Sequence, residues 1–78
     1  MSETAQDLAD KVTDLLKEAR LQKGLSHEKV AELAGIHRST VSRVEAKKIQ
    51  GTLYVYLSIA EAIGVPLGEL ITRAQSQK

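Results

Sequence analysis

The side chains best suited to chemistry lie in the middle of this 78-residue chain, where arginine, serine and lysine recur at short intervals. Arg38 and Arg43 carry planar guanidinium groups, which donate paired hydrogen bonds to phosphate oxygens and to other planar acceptors. Residues 20–48 hold a formal charge of +4 and residues 1–19 hold −3, so the net charge of +1 hides a basic centre. This pattern predicts a surface that attracts a polyanion, although an uneven scatter of surface charges would give the same count.

Catalytic and metal-binding patterns are not found in the sequence. There is no cysteine, which excludes a disulfide framework and a cysteine zinc site. His27 and His37 lie ten residues apart, unlike a helical metal-binding pair. The chain contains neither a glycine-rich phosphate loop nor a nucleophile with an adjacent base. We therefore predict that the protein is not an enzyme and that it binds no metal and no cofactor.

Length and composition indicate one small domain over residues 1–78, of which about 1–5 and 74–78 are expected to fray. The hydrophobic fraction of 42% and the charged fraction of 27% are ordinary for a globular protein. No apolar run approaches the ~20 residues needed to span a bilayer, so we expect a cytoplasmic protein. The chain has no residues to spare for a sensory domain, and no small-molecule effector is expected.

The hydrophobic periodicity is helical along the whole chain and predicts five short helices, hence an all-α fold. The first helix ends near Gly24, and Ser26 opens the second. The third spans about residues 37–46, Thr52 caps the fourth, and Pro66 begins the fifth. The side chains expected to face inward are Val30, Leu33 and Ala34 from the second helix, Val41 and Val44 from the third, Leu53, Tyr56, Leu57, Ala60 and Ile63 from the fourth, and Leu67, Leu70 and Ile71 from the fifth.

Residues 27–46 have the spacing of two short helices that cross steeply. Gly35 can adopt the positive φ that a tight turn between them needs, and Ala31 is small where the second helix crosses the first. Ile36 and Val41 would then hold the second helix against the first. This combination is typical of a helix-turn-helix, in which the second helix enters the major groove of DNA. An αα-corner in an unrelated helical protein is the alternative.

The stretch over residues 16–71 resembles the Cro/phage-repressor (XRE-like) helix-turn-helix family. The matching phrases are RLQKGLS at 20–26, AGIHRSTVSRVE at 34–45 and IAEAIGVPL at 59–67. Among its subtypes, the chain is most similar to small stand-alone regulators such as the restriction–modification controller proteins. The resemblance implies a compact five-helix domain of the lambda-repressor type, a homodimer on DNA, and a role in transcription regulation as a repressor or an activator. It also implies a salt bridge between Arg20 and Glu45, which ties the first helix to the recognition helix.

The third helix, about residues 37–46, is then the recognition helix, and it reads DNA with the face opposite its buried valines. Base contacts are predicted for Arg38, Ser39, Ser42 and Arg43, because arginine can donate to O6 and N7 of guanine. His27 stands where the family usually has glutamine, and His37 stands where Ser or Thr normally caps this helix. Contacts to phosphates are predicted for Ser26, His27, Thr40, Lys47, Lys48 and Thr52.

One recognition helix reads only a few base pairs, and the resemblance implies a two-fold dimer on a (pseudo)palindromic operator. The predicted dimer interface lies on the fourth and fifth helices, because Tyr54 and Val55 would be left on the outer side of the fourth helix. A surface on the first helix with Leu8 and Val12 is the alternative. The interface residues are Tyr54, Val55, Leu67 and Ile71.

The predicted function is a sequence-specific regulator of transcription that binds double-stranded DNA. One alternative is an antitoxin, which would use the same domain to bind its operator and would also bind a toxin partner. Another is a protein-interaction module that kept the fold and lost DNA binding. Four basic side chains on and beside one helix face argue against the last alternative: Arg38, Arg43, Lys47 and Lys48.

Overall fold

The computed structural model describes residues 3–77, which form five α-helices and no strands. The third helix is one residue shorter at each end than predicted, and the all-α, five-helix fold is confirmed. Of the ends expected to fray, residues 1, 2 and 78 lie outside the described part, whereas the last helix continues to Ser76. Within residues 3–77 no single helix is long and apolar enough to cross a membrane. The last two helices reach that length and apolar character only when taken together, and they are bent by 103° relative to each other. The helices are α1 (Ala5–Gln22), α2 (His27–Ala34), α3 (Arg38–Glu45), α4 (Leu53–Ile63) and α5 (Leu67–Ser76).

Side-chain caps begin three of the helices. At α1 the Thr4 hydroxyl accepts a hydrogen bond from the Asp7 amide at 3.0 Å, and the Asp7 carboxylate accepts one from the Thr4 amide at 3.2 Å. The hydroxyls of Ser26 and Thr52 accept from amides three residues later, at 3.0 and 3.2 Å. These bonds satisfy N–H groups that the first turn of a helix leaves unpaired. Residues close in the sequence therefore determine where α1, α2 and α4 begin.

The turn between α2 and α3 depends on one left-handed residue. Gly35 follows α2 with a φ of +71°, and its N–H bonds to the carbonyl of Ala31. The Ile36 amide bonds to the same carbonyl at 3.1 Å. His37 then begins α3 in an extended conformation, and its side chain makes no capping hydrogen bond. The chain thus reverses over three residues, and α3 packs across α2 as a helix-turn-helix requires.

An aliphatic core lies at the centre of the domain and joins all five helices. Leu16 of α1, Val30 of α2 and Val41 of α3 are each at most 2% exposed. The first helix packs along α5, and α2 packs on both α3 and α4. The core therefore supports the inner side of the helix-turn-helix and leaves the outer face of α3 free. Its buried members are Val12, Leu15, Leu16, Val30, Ala31, Val41, Val44, Ile59, Ala60, Ile63, Leu67, Leu70 and Ala74.

Four apolar side chains do not lie where the periodicity predicted. Leu33, Leu53 and Leu57 were expected in the core, but they are 53%, 68% and 48% exposed. Val55 was expected on the outer side of α4, yet it is half-buried and packs against the core. The three predictions on α4 were wrong because that helix is apolar around most of its circumference, so several stripes fit its sequence equally well. Packing selects the stripe that contains Val55 and Ile59. Leu33 lies on α2, where Val30 and Ala31 face the core instead.

We expect Gly35→Ala to lower the free energy of unfolding by about 1 kcal/mol, because an L side chain at this left-handed position is strained. A methyl group at Gly35 would meet no atom within 4 Å, so the loss comes from the backbone alone. Gly68 in the first turn of α5 is the matched control. Its surroundings are equally open and its φ is not positive. Gly68→Ala should therefore raise stability by about 0.5 kcal/mol. Urea denaturation followed by circular dichroism measures both, and equal shifts would contradict the assignment of strain to Gly35.

Candidate nucleic-acid interface

The outer face of α3 carries the polar side chains that were predicted to contact bases. Arg38, Ser39 and Arg43 are exposed, whereas Val41 and Val44 on the inner side are 0% and 2% exposed. The helix is eight residues long. A short helix with such a division can enter a groove of DNA with its outer face while its inner face stays on the core.

Ser42 and Arg38 differ in how far they are already engaged. Ser42 is half-buried, and its hydroxyl donates to the Ser39 carbonyl at 3.2 Å. The Arg38 guanidinium lies 3.9 Å from the Glu28 carboxylate, with 70% and 78% of the two side chains exposed. An exposed ion pair at that distance contributes little to stability. Arg38 is therefore free to exchange Glu28 for another acceptor at small cost, whereas Ser42 would have to give up a local bond.

The predicted phosphate contacts are spread over three segments. Thr40 is half-buried on α3, and Lys48 is exposed just beyond it. Ser26 and Thr52 lie exposed at the starts of α2 and α4, where their hydroxyl oxygens accept the capping bonds. A hydroxyl that accepts one bond still has its O–H to donate. Both caps could therefore donate to a phosphate without leaving their helices.

Lys47 is held by the acidic helix α1. Its Nζ lies 2.8 Å from Oδ1 of Asp14. The hydrogen bond to Asp14 raises the pKa of Lys47, and the nearby charge of Asp10 acts in the same direction. Lys47 is also the one non-glycine residue between 3 and 77 with a positive φ, at +61°. This lysine neutralises a carboxylate of its own chain, and its phosphate contact stays a prediction.

A buried set of polar groups behind α3, which we call the Glu45 cluster, joins three helices. Arg20 Nε donates to Glu45 Oε2 at 2.6 Å, and Arg20 Nη2 donates to Oε1 at 2.9 Å. Arg20 Nη1 donates to the Leu25 carbonyl at 2.7 Å, and Nε2 of His27 lies 3.0 Å from Glu45 Oε1. Arg20 and Glu45 are 7% and 8% exposed. The structure thus brings together the pair that the family resemblance implied, and adds His27 to it.

The ionisation of Glu45 follows from these contacts. Burial acts to raise the pKa of this carboxyl, but hydrogen bonds from Arg20 and His27 and the charge of Arg20 outweigh it. The pKa of Glu45 therefore lies below its ordinary value of 4.5, and the group is ionised at neutral pH. An ionised carboxylate only accepts hydrogen bonds, so the hydrogen between the two groups must sit on Nε2 of His27.

Comparison with known proteins agrees with this geometry. Residues 16–70 match the helix-turn-helix family. The control protein C.SmaI of Serratia marcescens is 30% identical over 67 residues, which span 86% of this chain and 80% of that protein. The chain belongs to the Cro/C1-type helix-turn-helix family. The predicted family and fold class are confirmed, and the protein is a helix-turn-helix DNA-binding regulator.

Two contacts of this helix-turn-helix protein were not predicted from its sequence. His27 was expected to face a phosphate, and its bond to Glu45 was missed. Lys47 was given the same role, and its pairing with Asp14 was missed. Each contact joins residues that are far apart in the chain, so no local spacing signals it. The acidic character of α1 was visible in the sequence, but the position of the 46–48 segment beside it was not.

A second surface of interest lies outside the helix-turn-helix, on α4 and α5. Tyr54 is 69% exposed and lines a shallow groove with Leu57 and Pro66. Ile71 lines a second groove, between α1 and α5. Leu67 is only 7% exposed and contributes to the lining of both grooves. Of the four predicted interface residues, Tyr54 is thus the one that projects from the surface.

The grooves and the polar groups differ in the ligands they could hold. The groove between α1 and α5 is lined by apolar side chains, among them Leu8 and Val12. No three His, Asp or Glu side chains in the part of the chain from 3 to 77 are arranged to hold a metal ion. The concave surfaces are suited to apolar side chains of a protein partner, and the polar chemistry lies on the convex face of α3.

Glu45→Gln should lower the free energy of unfolding at pH 7 by about 3 kcal/mol, because it leaves the Arg20 charge buried without a counter-ion. Urea denaturation measures the loss. Glu61→Gln, which changes an exposed carboxylate on α4, is the matched control and should stay within about 0.5 kcal/mol of the wild type. A loss of similar size in both variants would contradict the importance of the Glu45 cluster.

The same pair of variants should differ in their response to acid. Because the folded pKa of Glu45 is lowered, its stabilising contribution is present above the unfolded value and is lost as pH falls through the folded pKa. The free energy of unfolding of the wild type should therefore decrease as the pH is lowered below 4.5. Glu45→Gln should flatten that decline, and Glu61→Gln should leave it in place. Parallel acid profiles for the wild type and Glu45→Gln would contradict the lowered pKa.

Proposed function

We propose that this regulator binds a (pseudo)palindromic DNA operator as a two-fold homodimer and reads base sequence with α3 in the major groove. It acts by binding alone, in the cytoplasm, without catalysis, cofactor or small-molecule effector. The observation that carries the proposal is the outer face of α3. This face carries two exposed arginines, and the buried Glu45 cluster holds the helix rigidly in place.

The geometry of α3 supports base reading by its first turn. In helix-turn-helix proteins the N-terminal part of the recognition helix approaches the base edges most closely. Arg38 is the first residue of α3, and Ser39 follows it on the exposed face. A guanidinium fork that grips O6 and N7 of guanine contributes about 1–3 kcal/mol of discrimination. Arg43, one turn further along, is long enough to reach either a base or a phosphate.

The rigid attachment of α3 supports specificity. A helix of eight residues is not stable by itself in water, so its direction comes from packing and from tertiary hydrogen bonds. Val41 and Val44 anchor its inner face, and Glu45 ties its last turn to Arg20 of α1. Base contacts need side chains to be held within fractions of an ångström, which a loosely attached helix cannot provide.

The size of α3 supports a dimer. Each recognition helix spans only a few base pairs, and two copies related by a two-fold axis place their helices about 34 Å apart on one side of the duplex. The exposed Tyr54 with its apolar groove on α4 and α5 is the surface proposed for self-association. An isologous contact there would bury apolar area on both copies at once.

Selection of binding sites from a pool of randomised duplexes at physiological salt tests the proposal. We expect a consensus with two inverted half-sites separated by about one helical turn. Recovery of an unrelated set of sequences would mean binding to DNA without base reading. Failure to enrich any duplex would favour a protein-interaction module instead.

Substitutions on and beside α3 should separate base reading from charge. Arg38→Ala should relax the preference at one base pair of each half-site and weaken operator binding by about 1–3 kcal/mol. Lys48→Ala should weaken binding to all sequences alike and reduce the slope of log affinity against log salt by about 1 for each protomer bound. Arg73→Ala, at an exposed position on α5, is the matched control. Quantitative binding to the selected site and to single-base variants measures these effects, and an unchanged consensus in Arg38→Ala would exclude Arg38 as the reading residue.

Sedimentation without DNA should give a species of twice the 8.5 kDa chain mass, and Tyr54→Glu should convert it to single chains. The charge would lie in an apolar contact without a partner, which costs several kcal/mol. Leu33→Glu is the matched control because Leu33 is an exposed apolar residue on α2. A charge at Val55 is unsuitable, since that side chain also packs on the core. A folded Tyr54→Glu protein that still sediments as a dimer would move the interface elsewhere.

A further inference from the structure

His27 lies at the edge of the surface that faces DNA in the proposed function. It is the first residue of α2, and the carboxylate of the next residue, Glu28, is 3.9 Å from the guanidinium of Arg38. The first turn of α2 is therefore within one side-chain length of the arginine proposed to read bases. The His27 side chain is 36% exposed, so part of the ring is open to solvent although Nε2 faces the buried Glu45.

The two nitrogens of this imidazole have different surroundings. Nε2 lies 3.0 Å from Oε1 of Glu45, and it must carry the hydrogen because that carboxylate is ionised. Nδ1 of His27 makes no hydrogen bond to the residues from 3 to 77. In the neutral ring, Nδ1 is then an acceptor with a lone pair. A phosphate oxygen is also an acceptor, so the neutral ring cannot bind it through this nitrogen.

Protonation changes only the exposed edge of the ring. An imidazolium donates from both nitrogens, so Nε2 can stay on Glu45 while Nδ1 gains a hydrogen to donate. The cation would then lie between two anions, the Glu45 carboxylate on one side and a DNA phosphate on the other. Arg20 offsets much of the Glu45 charge both with and without DNA, so the added phosphate is what favours the protonated form more in the complex.

We propose that His27 contacts a DNA phosphate through Nδ1 only as the imidazolium, with Nε2 held by Glu45, so that DNA binding takes up one proton at this residue. This inference rests on the proposed DNA-binding function. It distinguishes His27 from Lys48, whose charge does not change near neutral pH. Affinity for DNA then rises as pH falls through the range in which imidazole protonates.

The proposal depends on which charged groups surround the ring. Glu45 is the carboxylate in hydrogen-bonding contact with it, and Arg20 Nη2 donates to Oε1, the same Glu45 oxygen that Nε2 of His27 contacts. Glu28 pairs with Arg38, and other neighbours on α2 pair with each other. The charged side chains on the elements packed around His27 are Arg20 and Lys23 at the end of α1, Glu28, Lys29 and Glu32 on α2, Arg38, Arg43 and Glu45 on α3, and Glu61 on α4.

The test is fluorescence anisotropy with a labelled mixed-sequence duplex of about 30 base pairs, long enough for two half-sites. Phosphate contacts do not depend on sequence, so the operator need not be known. We expect the wild-type Kd to fall from about pH 8 to about pH 6 by about tenfold for each protomer bound. The slope of log affinity against log salt should be steeper at the lower pH by about 0.9 for each protomer bound, because each His27 neutralises one more phosphate.

Two matched variants assign the effect to one histidine. His27→Gln keeps an N–H for Glu45 but cannot titrate, so its affinity should be nearly the same at both pH values. His37→Gln removes the exposed histidine at the start of α3 and should retain the tenfold change. A pH effect that disappears in His37→Gln and persists in His27→Gln overturns the proposal.

A second measurement needs no variant. The titration midpoint of the His27 Cε1–H proton, followed by NMR, should move up when the duplex is added, and that of His37 should move less. An unmoved His27 midpoint in the bound protein overturns the proposal even if His27→Gln fails to fold. Equal wild-type affinity at both pH values overturns the proton linkage while leaving DNA binding intact. Absence of binding at any pH overturns both the linkage and the proposed function.

Discussion

Glu45 is a carboxylate buried at the end of the recognition helix, and the arrangement of the domain around it follows from the need to compensate its charge. Removing an ion from water costs several kcal/mol, so a buried carboxylate persists only where donors meet both of its oxygens. Arg20 supplies two of these donors and His27 supplies a third. A third N–H of Arg20, on Nη1, donates to the Leu25 carbonyl in the loop before α2. The relative positions of α1, α2 and α3 are therefore tied to one anion.

This constraint explains how so short a helix can present a functional face. Val41 and Val44 bury the inner side of α3, but apolar contacts alone tolerate small rotations and shifts. The paired hydrogen bonds between Arg20 and Glu45 have a defined direction, so they restrict the orientation of the last turn. Arg38 and Arg43 can then remain exposed without serving the stability of the fold. The stabilising groups and the groups proposed to face DNA lie on opposite sides of the same eight residues.

Charge is distributed in keeping with this division. The acidic helix α1 lies behind the recognition helix, where Asp14 neutralises Lys47. Beyond that pair, the exposed basic groups of α3 and Lys48 remain on the outer side. A small net charge is thus compatible with a locally basic surface, because the fold separates the two signs in space. The apolar groove next to Tyr54 lies apart from this surface, on α4 and α5. The surface proposed for self-association is therefore separate from the one proposed to bind DNA.

Short-range features of the sequence determined the helices, the turn and the family. Thr4, Ser26 and Thr52 cap their helices with amides three residues away, and Gly35 takes the left-handed turn that its lack of a side chain permits. Such features depend on neighbours in the chain, so spacing alone reveals them. The polar outer face of α3 could be predicted for the same reason, once its two valines were assigned to the core.

Tertiary structure alone decided which apolar residues of α4 are buried and which partners the charged groups find. Leu57 was expected in the core and Val55 at the surface, and the structure reverses both. Packing decides which stripe of α4 faces the other helices. The bond between His27 and Glu45 joins residues 18 positions apart, and its existence depends on how steeply α2 and α3 cross. Periodicity describes one helix at a time, whereas burial and ion pairing are properties of helices in contact.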